Sequence, residues 1–230
     1  MKITWLGHAS FRIEIEDAVL LVDPWLTGNP AFPEQMREKA LAGATHILIS
    51  HGHGDHTTDA LSIAKDQGIP IYCIFELAEL WGGMSGIDCM GFGKGGTVAA
   101  GKAQVSMVNA THSSCLEGNG TISAAGSEAG FMITGEGHRI YFSGDTDIMA
   151  DMDWMGDFYN PDIGILCCGG HYTMGMEGAA YAAKRYFNFK TVIPCHYKTF
   201  PILAQSAQPL VDALPDIDVK TPEVMETIEI

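Results

Sequence analysis

Basic residues are scarce in this chain: 13 lysines and arginines stand against 28 aspartates and glutamates, a formal net charge of -15 over 230 residues. Nothing gathers the few cations into a patch, so a long polyanion would be repelled, and nucleic acid is disfavoured as a partner. Long apolar runs are missing too. None reaches the ~20 residues of a membrane-spanning helix. The opening Met1-Lys2-Ile3-Thr4-Trp5 reaches His8, Arg12 and Glu14 without the apolar stretch that export needs. The six cysteines (Cys73, Cys89, Cys115, Cys167, Cys168 and Cys195) lack paired zinc-ribbon spacing, and adjacent Cys167 and Cys168 are awkward to bridge, so buried reduced thiols are expected. Low-complexity tracts, linkers and sequence repeats are also lacking. The absences together predict a cytoplasmic protein with no membrane partner. With 47% hydrophobic residues, the length suits one sizeable core, hence a single domain spanning 1–230.

What the chain does have is a dense group of metal-binding side chains. Ser50-His51-Gly52-His53-Gly54-Asp55-His56 follows Ile47-Leu48-Ile49, an apolar run that reads as a buried strand. A strand delivers the chain rigidly to its end, and the two glycines let the backbone turn, so that His51 and His53 can face one ion while Asp55 and His56 face another. The plain alternative is four polar residues decorating a loop. Three crowded imidazoles would depress one another's protonation, however, and a cation accounts for the crowding. Imidazole and carboxylate donors suit zinc, iron or manganese.

Further candidates stand just past other strand-like runs. His112 follows Gln104-Val105-Ser106-Met107-Val108, Asp145 follows Ile140-Tyr141-Phe142, and His196 follows Thr191-Val192-Ile193-Pro194-Cys195. Side chains gathered at strand ends from separate stretches are how sheet-based folds build a site on rigid supports.

The His-x-His-x-Asp-His motif at His51, His53, Asp55 and His56, the later His112, the Ser-Gly-Asp-Thr segment holding Asp145, and His196 resemble the metallo-β-lactamase superfamily in kind and in order, across nearly the whole chain. Trp5-Leu6-Gly7-His8-Ala9, Asp23-Pro24-Trp25-Leu26-Thr27-Gly28-Asn29-Pro30 and Gly169-Gly170-His171-Tyr172-Thr173-Met174 are further similar to metal-dependent hydrolases near the L-ascorbate-6-phosphate lactonases. The resemblance implies a binuclear centre: His51, His53 and His112 on one divalent ion, Asp55, His56 and His196 on the other, with Asp145 and a hydroxide bridging. Zinc is the first choice of metal, Mn2+ or Fe2+ the alternatives. Two zinc ions with these carboxylates and a hydroxide leave about +1 at the centre, which would attract an ester, lactone or phosphate oxygen, and bound water titrating near ~7 makes hydroxide available at neutral pH. The implied reaction is hydrolysis of a small-molecule substrate, anionic or ester-like. Only 34 residues follow His196, too few for the helical glutathione-binding domain of glyoxalase II.

Three residues form a second tier. His171 could reach the mouth of the site and bind or protonate substrate, so it joins Asp55 as a catalytic candidate; a loop histidine with no such job competes evenly. His8, in a turn between two strands, is a candidate for contact with substrate or with a metal ligand, against a turn-stabilising role. Asp23 could orient a metal-bound imidazole, yet Asp-Pro is also an ordinary turn opener. His46 and His138 read as structural, and the methionines Met149, Met152, Met155, Met174 and Met176 as core filler. Gly91-Phe92-Gly93-Lys94-Gly95-Gly96 lacks a Walker ending and reads as a turn. Two other functions remain open on the same residues: a mononuclear iron dioxygenase acting on thiols or persulfides, and a metal-holding scaffold without turnover. Homo-oligomerisation is also left open.

Periodicity predicts strands over 2–6, 11–15, 19–22, 69–74, 162–166 and 191–194, and helices over 34–41, 76–81, 177–187 and 205–214. Another helix is expected to run through Ala60 to Gly68, capped by Thr57 or Thr58. Strand-rich hairpins interleaved with helices suit two packed sheets with helices outside. The α/β (α+β) class follows from this pattern, and the four-layer αβ/βα sandwich with two mixed sheets from the resemblance.

Overall fold

Three hairpin-linked strands open the fold. β1 (Lys2–Gly7), β2 (Ser10–Ile15) and β3 (Ala18–Val22) pair antiparallel, with Ile3 opposite Ile13 and Phe11 opposite Val22. In β2 the buried Phe11, Ile13 and Ile15 alternate with half-buried Arg12 and Glu14, the period-2 pattern of a sheet with one wetter face. A 3-10 turn (Glu34–Met36) and α1 (Arg37–Leu41) lead to β4 (His46–Leu48), parallel to β3. α2 (Gly54–Thr57) and α3 (Ala60–Gln67) return the chain to β5 (Ile71–Ile74), and α4 (Phe75–Gly82) returns it to β6 (Cys89–Phe92), both added in parallel.

The second half follows the same plan. β7 (Thr97–Ala100) and β8 (Ala103–Asn109) form a hairpin, a separate two-stranded ribbon of β9 (Cys115–Gly118) and β10 (Thr121–Ala124) intervenes, and β11 (Ala129–Gly135) and β12 (His138–Phe142) continue the antiparallel run. Crossovers through α5 (Asp151–Tyr159), α6 (Met176–Tyr186) and α7 (Gln208–Ala213) then add β13 (Ile163–Cys167), β14 (Thr191–Cys195) and β15 (Asp218–Val219) in parallel. β13 is buried at every position, as expected for a parallel strand covered on both faces. Finally β16 (Thr227–Glu229) pairs with β1. Two seven-stranded mixed sheets result, ordered β16-β1-β2-β3-β4-β5-β6 and β7-β8-β11-β12-β13-β14-β15. This computed structural model describes residues 1–83, 86–118 and 120–230.

Aromatic contacts join the two sheets. Phe11 meets Phe142 edge-on with centroids 6.2 Å apart, Phe142 stacks on Phe131 at 6.4 Å, and Phe131 stacks on Phe92 at 6.4 Å, linking β2 and β6 to β11 and β12. Both sheets contribute to one buried hydrophobic cluster. The alternation of strand directions has a consequence for function: β1, β3 and β4 run the same way in the first sheet, and β8, β12 and β14 run the same way in the second. The C-terminal ends of each set therefore share an edge, where side chains from distant sequence can meet.

Several elements depart from the periodicity reading. Thr57 and Thr58 do not cap the helix after the motif; their hydroxyls donate back to the carbonyls of His53 (3.0 Å) and Gly54 (2.5 Å) inside α2, and Asp59 stands at the N-cap of α3. Gly68 does end α3, in the left-handed conformation expected of a C-cap. The predicted helix over 34–41 starts with a 3-10 turn, and the last helix begins at Gln208, three residues later than expected, with the Gln205 side chain donating instead to the carbonyls of Phe200 and Leu203. α5 was not anticipated: Met149, Met152 and Met155 are buried core residues, as read, but Met152 and Met155 sit on a helix whose first turn is acidic. All six cysteines are unpaired, and four of them are buried. Among the described residues no helix is long and apolar enough to cross a membrane.

Phe142 is fully buried and touches both Phe11 and Phe131. Phe142→Ala should lower the unfolding free energy by about 3–5 kcal/mol, read from denaturant titrations; a loss below ~1 kcal/mol would contradict its place at the junction of the sheets.

Candidate metal centre

Six side chains of interest lie just past the end of a strand, His8 beyond β1, Asp23 beyond β3, His51 beyond β4, His112 beyond β8, Asp145 beyond β12 and His196 beyond β14, while Asp55 and His56 sit in α2 with His53 at its N-cap. Three of them, His8, Asp23 and His196, hold φ at 54°, 46° and 58°, a region non-glycine residues enter rarely. Backbone outliers of this kind cluster where a side chain must be aimed. The motif glycines work differently from the sequence reading. Neither Gly52 nor Gly54 has a positive φ; a Cβ at Gly52 would come within 2.7 Å of the Cys115 carbonyl, so this glycine lets the β9–β10 ribbon close over the motif.

Two groups of ligand atoms assemble. His51, His53 and His112 bring one ring nitrogen each to within 4.8 Å of one another, with His51 Nε2 3.0 Å from His53 Nδ1. Asp55, His56 and His196 make the second group, which His8 joins. Asp145 sits between them: its Oδ2 lies 3.0 Å from His196 Nε2, 3.3 Å from His56 Nε2, 3.7 Å from His112 Nε2 and 3.9 Å from His51 Nε2. The seven residues singled out from the motif order are thus brought together.

Asp23 organises them from below. It is fully buried, and its carboxylate accepts from Ser50 N (2.7 Å), Ser50 Oγ (2.5 Å) and His56 Nδ1 (2.8 Å). Ser50 Oγ in turn lies 2.9 Å from His51 Nδ1, where it can accept the ring proton. With both Nδ1 atoms used this way, His51 and His56 present the Nε2 lone pair to the site. One carboxylate therefore sets the tautomer of an imidazole in each group. Asp23 is more than a turn opener.

His8 is likewise fully buried. Its Nε2 lies 3.0 Å from Asp55 Oδ2, its Nδ1 lies 2.9 Å from Thr199 Oγ1, and its ring centroid is 3.9 Å from that of His196. Its carbonyl accepts from Trp5 Nε1 and His196 N, both at 2.9 Å, so it braces the turn as well. His171 is not part of the group. It is exposed and packs edge-on against Tyr172, and it is Tyr172 that borders the cavity. His46 and His138 stay apart from the centre, the latter bonded to Asp162 at 2.8 Å.

Electrostatics ask for positive charge here. Burial disfavours a charged His56, yet Asp145, Asp55 and Asp23 converge on it and raise its pKa well above the usual imidazole value. Burial also opposes ionisation of Asp55 and Asp145, but His56 with His8 holds the first carboxyl below its ordinary range, and His196 with His56 holds the second well below. His51 is pushed well down, first by burial and then by His56, and burial brings His8 down to about 4. Among the described residues, no lysine or arginine pairs with Asp23, Asp55 or Asp145. His56 Nε2 and Asp145 Oδ1 are buried without a hydrogen-bond partner. Unpartnered buried atoms are costly; set among three carboxylates and several imidazole lone pairs, they fit a bound cation.

A cavity of about 430 Å3 opens onto both groups, lined by His53, Asp55, His112, Asp145 and His196 and flanked by Ser113, Glu117, Tyr172 and Phe200. That volume suits a small molecule. Ser50, Thr199, Phe200 and Glu117 are site neighbours that sequence reasoning missed. Ser50 was visible as the first residue of the motif segment, and Tyr172 follows His171 in a quoted phrase; the other three carry no sequence signal.

Comparison with known proteins identifies the family and the fold. A sequence model described as the beta-lactamase superfamily domain matches residues 19–197. The chain is 64% identical over 230 residues, covering all of both chains, to the UPF0173 metal-dependent hydrolase of Dinoroseobacter shibae. Igni18, a metallo hydrolase from the archaeon Ignicoccus hospitalis, superposes with a TM-score of 0.86 at 30% identity, over 99% of this chain and 97% of that one. The metallo-beta-lactamase fold protein YhfI from Bacillus subtilis shares the fold, with a TM-score of 0.75 at 15% identity and 99% coverage of each chain.

Asp23→Asn keeps the shape and removes the charge that orients His51 and His56. Metal affinity, measured by competition with a chromogenic chelator, should fall by about 10–100-fold; unchanged affinity would show that Asp23 does not set the ligand geometry.

Proposed function

Since the chain belongs to the beta-lactamase superfamily and is a metal-dependent hydrolase, we propose that it works through a binuclear centre, with His51, His53 and His112 on one divalent ion, Asp55, His56 and His196 on the other and Asp145 shared. The whole chain acts as one hydrolase domain. Imidazole-rich donors with two carboxylates and no thiolate suit zinc first, manganese or iron next. When bound, such ions supply a hydroxide nucleophile near neutral pH and an electrophile for a substrate oxygen.

The chain's own residues do the rest. Asp23 and Ser50 fix the ring orientations of His56 and His51. His8, held neutral by burial, keeps its Nε2 proton on Asp55 and so aims that carboxylate. The open face of the cavity admits a small ester or lactone, with phosphodiesters as the further candidate class. In hydrolysis the oxygen of water bonds to the acyl carbon, the acyl C–O bond breaks, and the proton goes to the departing oxygen. The six unpaired cysteines support a reducing, cytoplasmic setting.

The observation that carries this reading is the cavity that opens onto both ligand groups with Asp145 between them. A sealed mouth would have favoured a scaffold that holds metal without turnover. Metal-loaded protein, assayed by elemental analysis and against a panel of lactones, esters and phosphodiesters, should carry two ions per chain and turn over at least one class. Asp145→Ala should lose bound metal and reduce turnover by at least about 100-fold. A variant that keeps both ions and full turnover would contradict the assignment.

A further inference from the structure

The cavity changes character between floor and rim. Its floor is the histidine and carboxylate cluster; its rim is acidic and aromatic. Glu117, exposed on β9, Tyr172, beyond β13, and Phe200, beyond β14, come from three separate segments to border it. Tyr172 is 54% exposed, enough to offer a ring face to a ligand. Phe200 is held in place, tilted on Trp25 with centroids 5.7 Å apart and edge-on to His8 at 5.5 Å. Among the described residues no lysine or arginine lines the cavity, and Glu117 is in no ion pair with one.

A substrate spanning this cavity presents its reacting oxygen to the floor and its remainder to the rim. A remainder ending in phosphate or carboxylate would face Glu117 with no cation to pair with, inside a chain of net charge -15. A flat apolar group can lie against Tyr172 and Phe200 instead, and a cationic one gains from Glu117 and from the aromatic faces.

We propose that the site selects small esters or lactones whose non-reacting end is uncharged or cationic and carries an aromatic group, and turns away those ending in an anion, through Glu117 and the walls formed by Tyr172 and Phe200. This rests on the hydrolase reading above and narrows its substrate class. It departs from the expectation of an anionic substrate, which followed from cations at the floor alone.

Benzyl mercaptans carrying trimethylammonium, hydrogen or carboxylate at the para position probe the rim without turnover, because the thiolate goes to zinc in every case. Calorimetric titration of the zinc-loaded full chain at low salt should show the cationic and neutral probes binding at least about tenfold more tightly than the carboxylate, the gap shrinking at high salt. Glu117→Gln should narrow the ratio of cation to anion affinity, and Glu117→Lys should invert it. Equal affinities in the wild type, or a ratio unmoved by Glu117→Lys with zinc still bound by elemental analysis, overturns the proposal and leaves the hydrolase reading standing. Protein that holds no zinc, or binds none of the three thiols, fails at the earlier reading and takes this one with it.

Discussion

One buried carboxylate constrains the rest of the site. Asp23 stands where β3 ends, beside the end of its parallel neighbour β4, and accepts both the backbone and the hydroxyl of Ser50 as well as the ring of His56. Burial raises its pKa above the ordinary carboxylate value, and three donors, one of them an imidazole, offset part of that cost. The same bonds fix two rings that belong to different ligand groups. Without them His51 and His56 would be free to turn, and neither group would keep a defined set of lone pairs. Sheet register therefore reaches the site through one side chain.

The fold explains why the arrangement is rigid. Candidate ligands from both halves of the chain come off the ends of strands that run the same way within each sheet or off the short α2 that follows β4, and packed phenylalanines join the two sheets. Charge is distributed accordingly. The floor concentrates carboxylates and imidazoles with no lysine or arginine to balance them among the described residues, while the rim adds Glu117 and two aromatic rings. On the selectivity proposed above, an acidic protein would hold an electrophilic centre and still turn anions away at its mouth.

Much of this was legible in the sequence. Four candidate ligands lie within six residues, and His112, Asp145 and His196 each follow an apolar or alternating run, so local pattern marked the candidates, while their division into two groups came from the family resemblance. His8 and Asp23 were harder, because their roles depend on Asp55 and His56, 47 and 33 residues away. Thr199, which touches His8 across 191 residues, and Glu117, on a two-stranded ribbon, had no local signature. The loop exposes His171 and places its neighbour Tyr172 at the cavity, a one-residue difference that spacing alone does not resolve. α5 was hidden because its buried methionines carry no period distinct from core filler, and Thr57 and Thr58 looked like caps because back-bonding inside a short helical turn cannot be read from composition.

The central claim is that two sets of three side chains, meeting at Asp145, each hold an ion. Anomalous diffraction from zinc-loaded crystals, collected on both sides of the zinc absorption edge, tests it directly. The account predicts two peaks, one among His51, His53 and His112 and one among Asp55, His56 and His196, with Asp145 in contact with both. A single peak, or density away from Asp145, would contradict it.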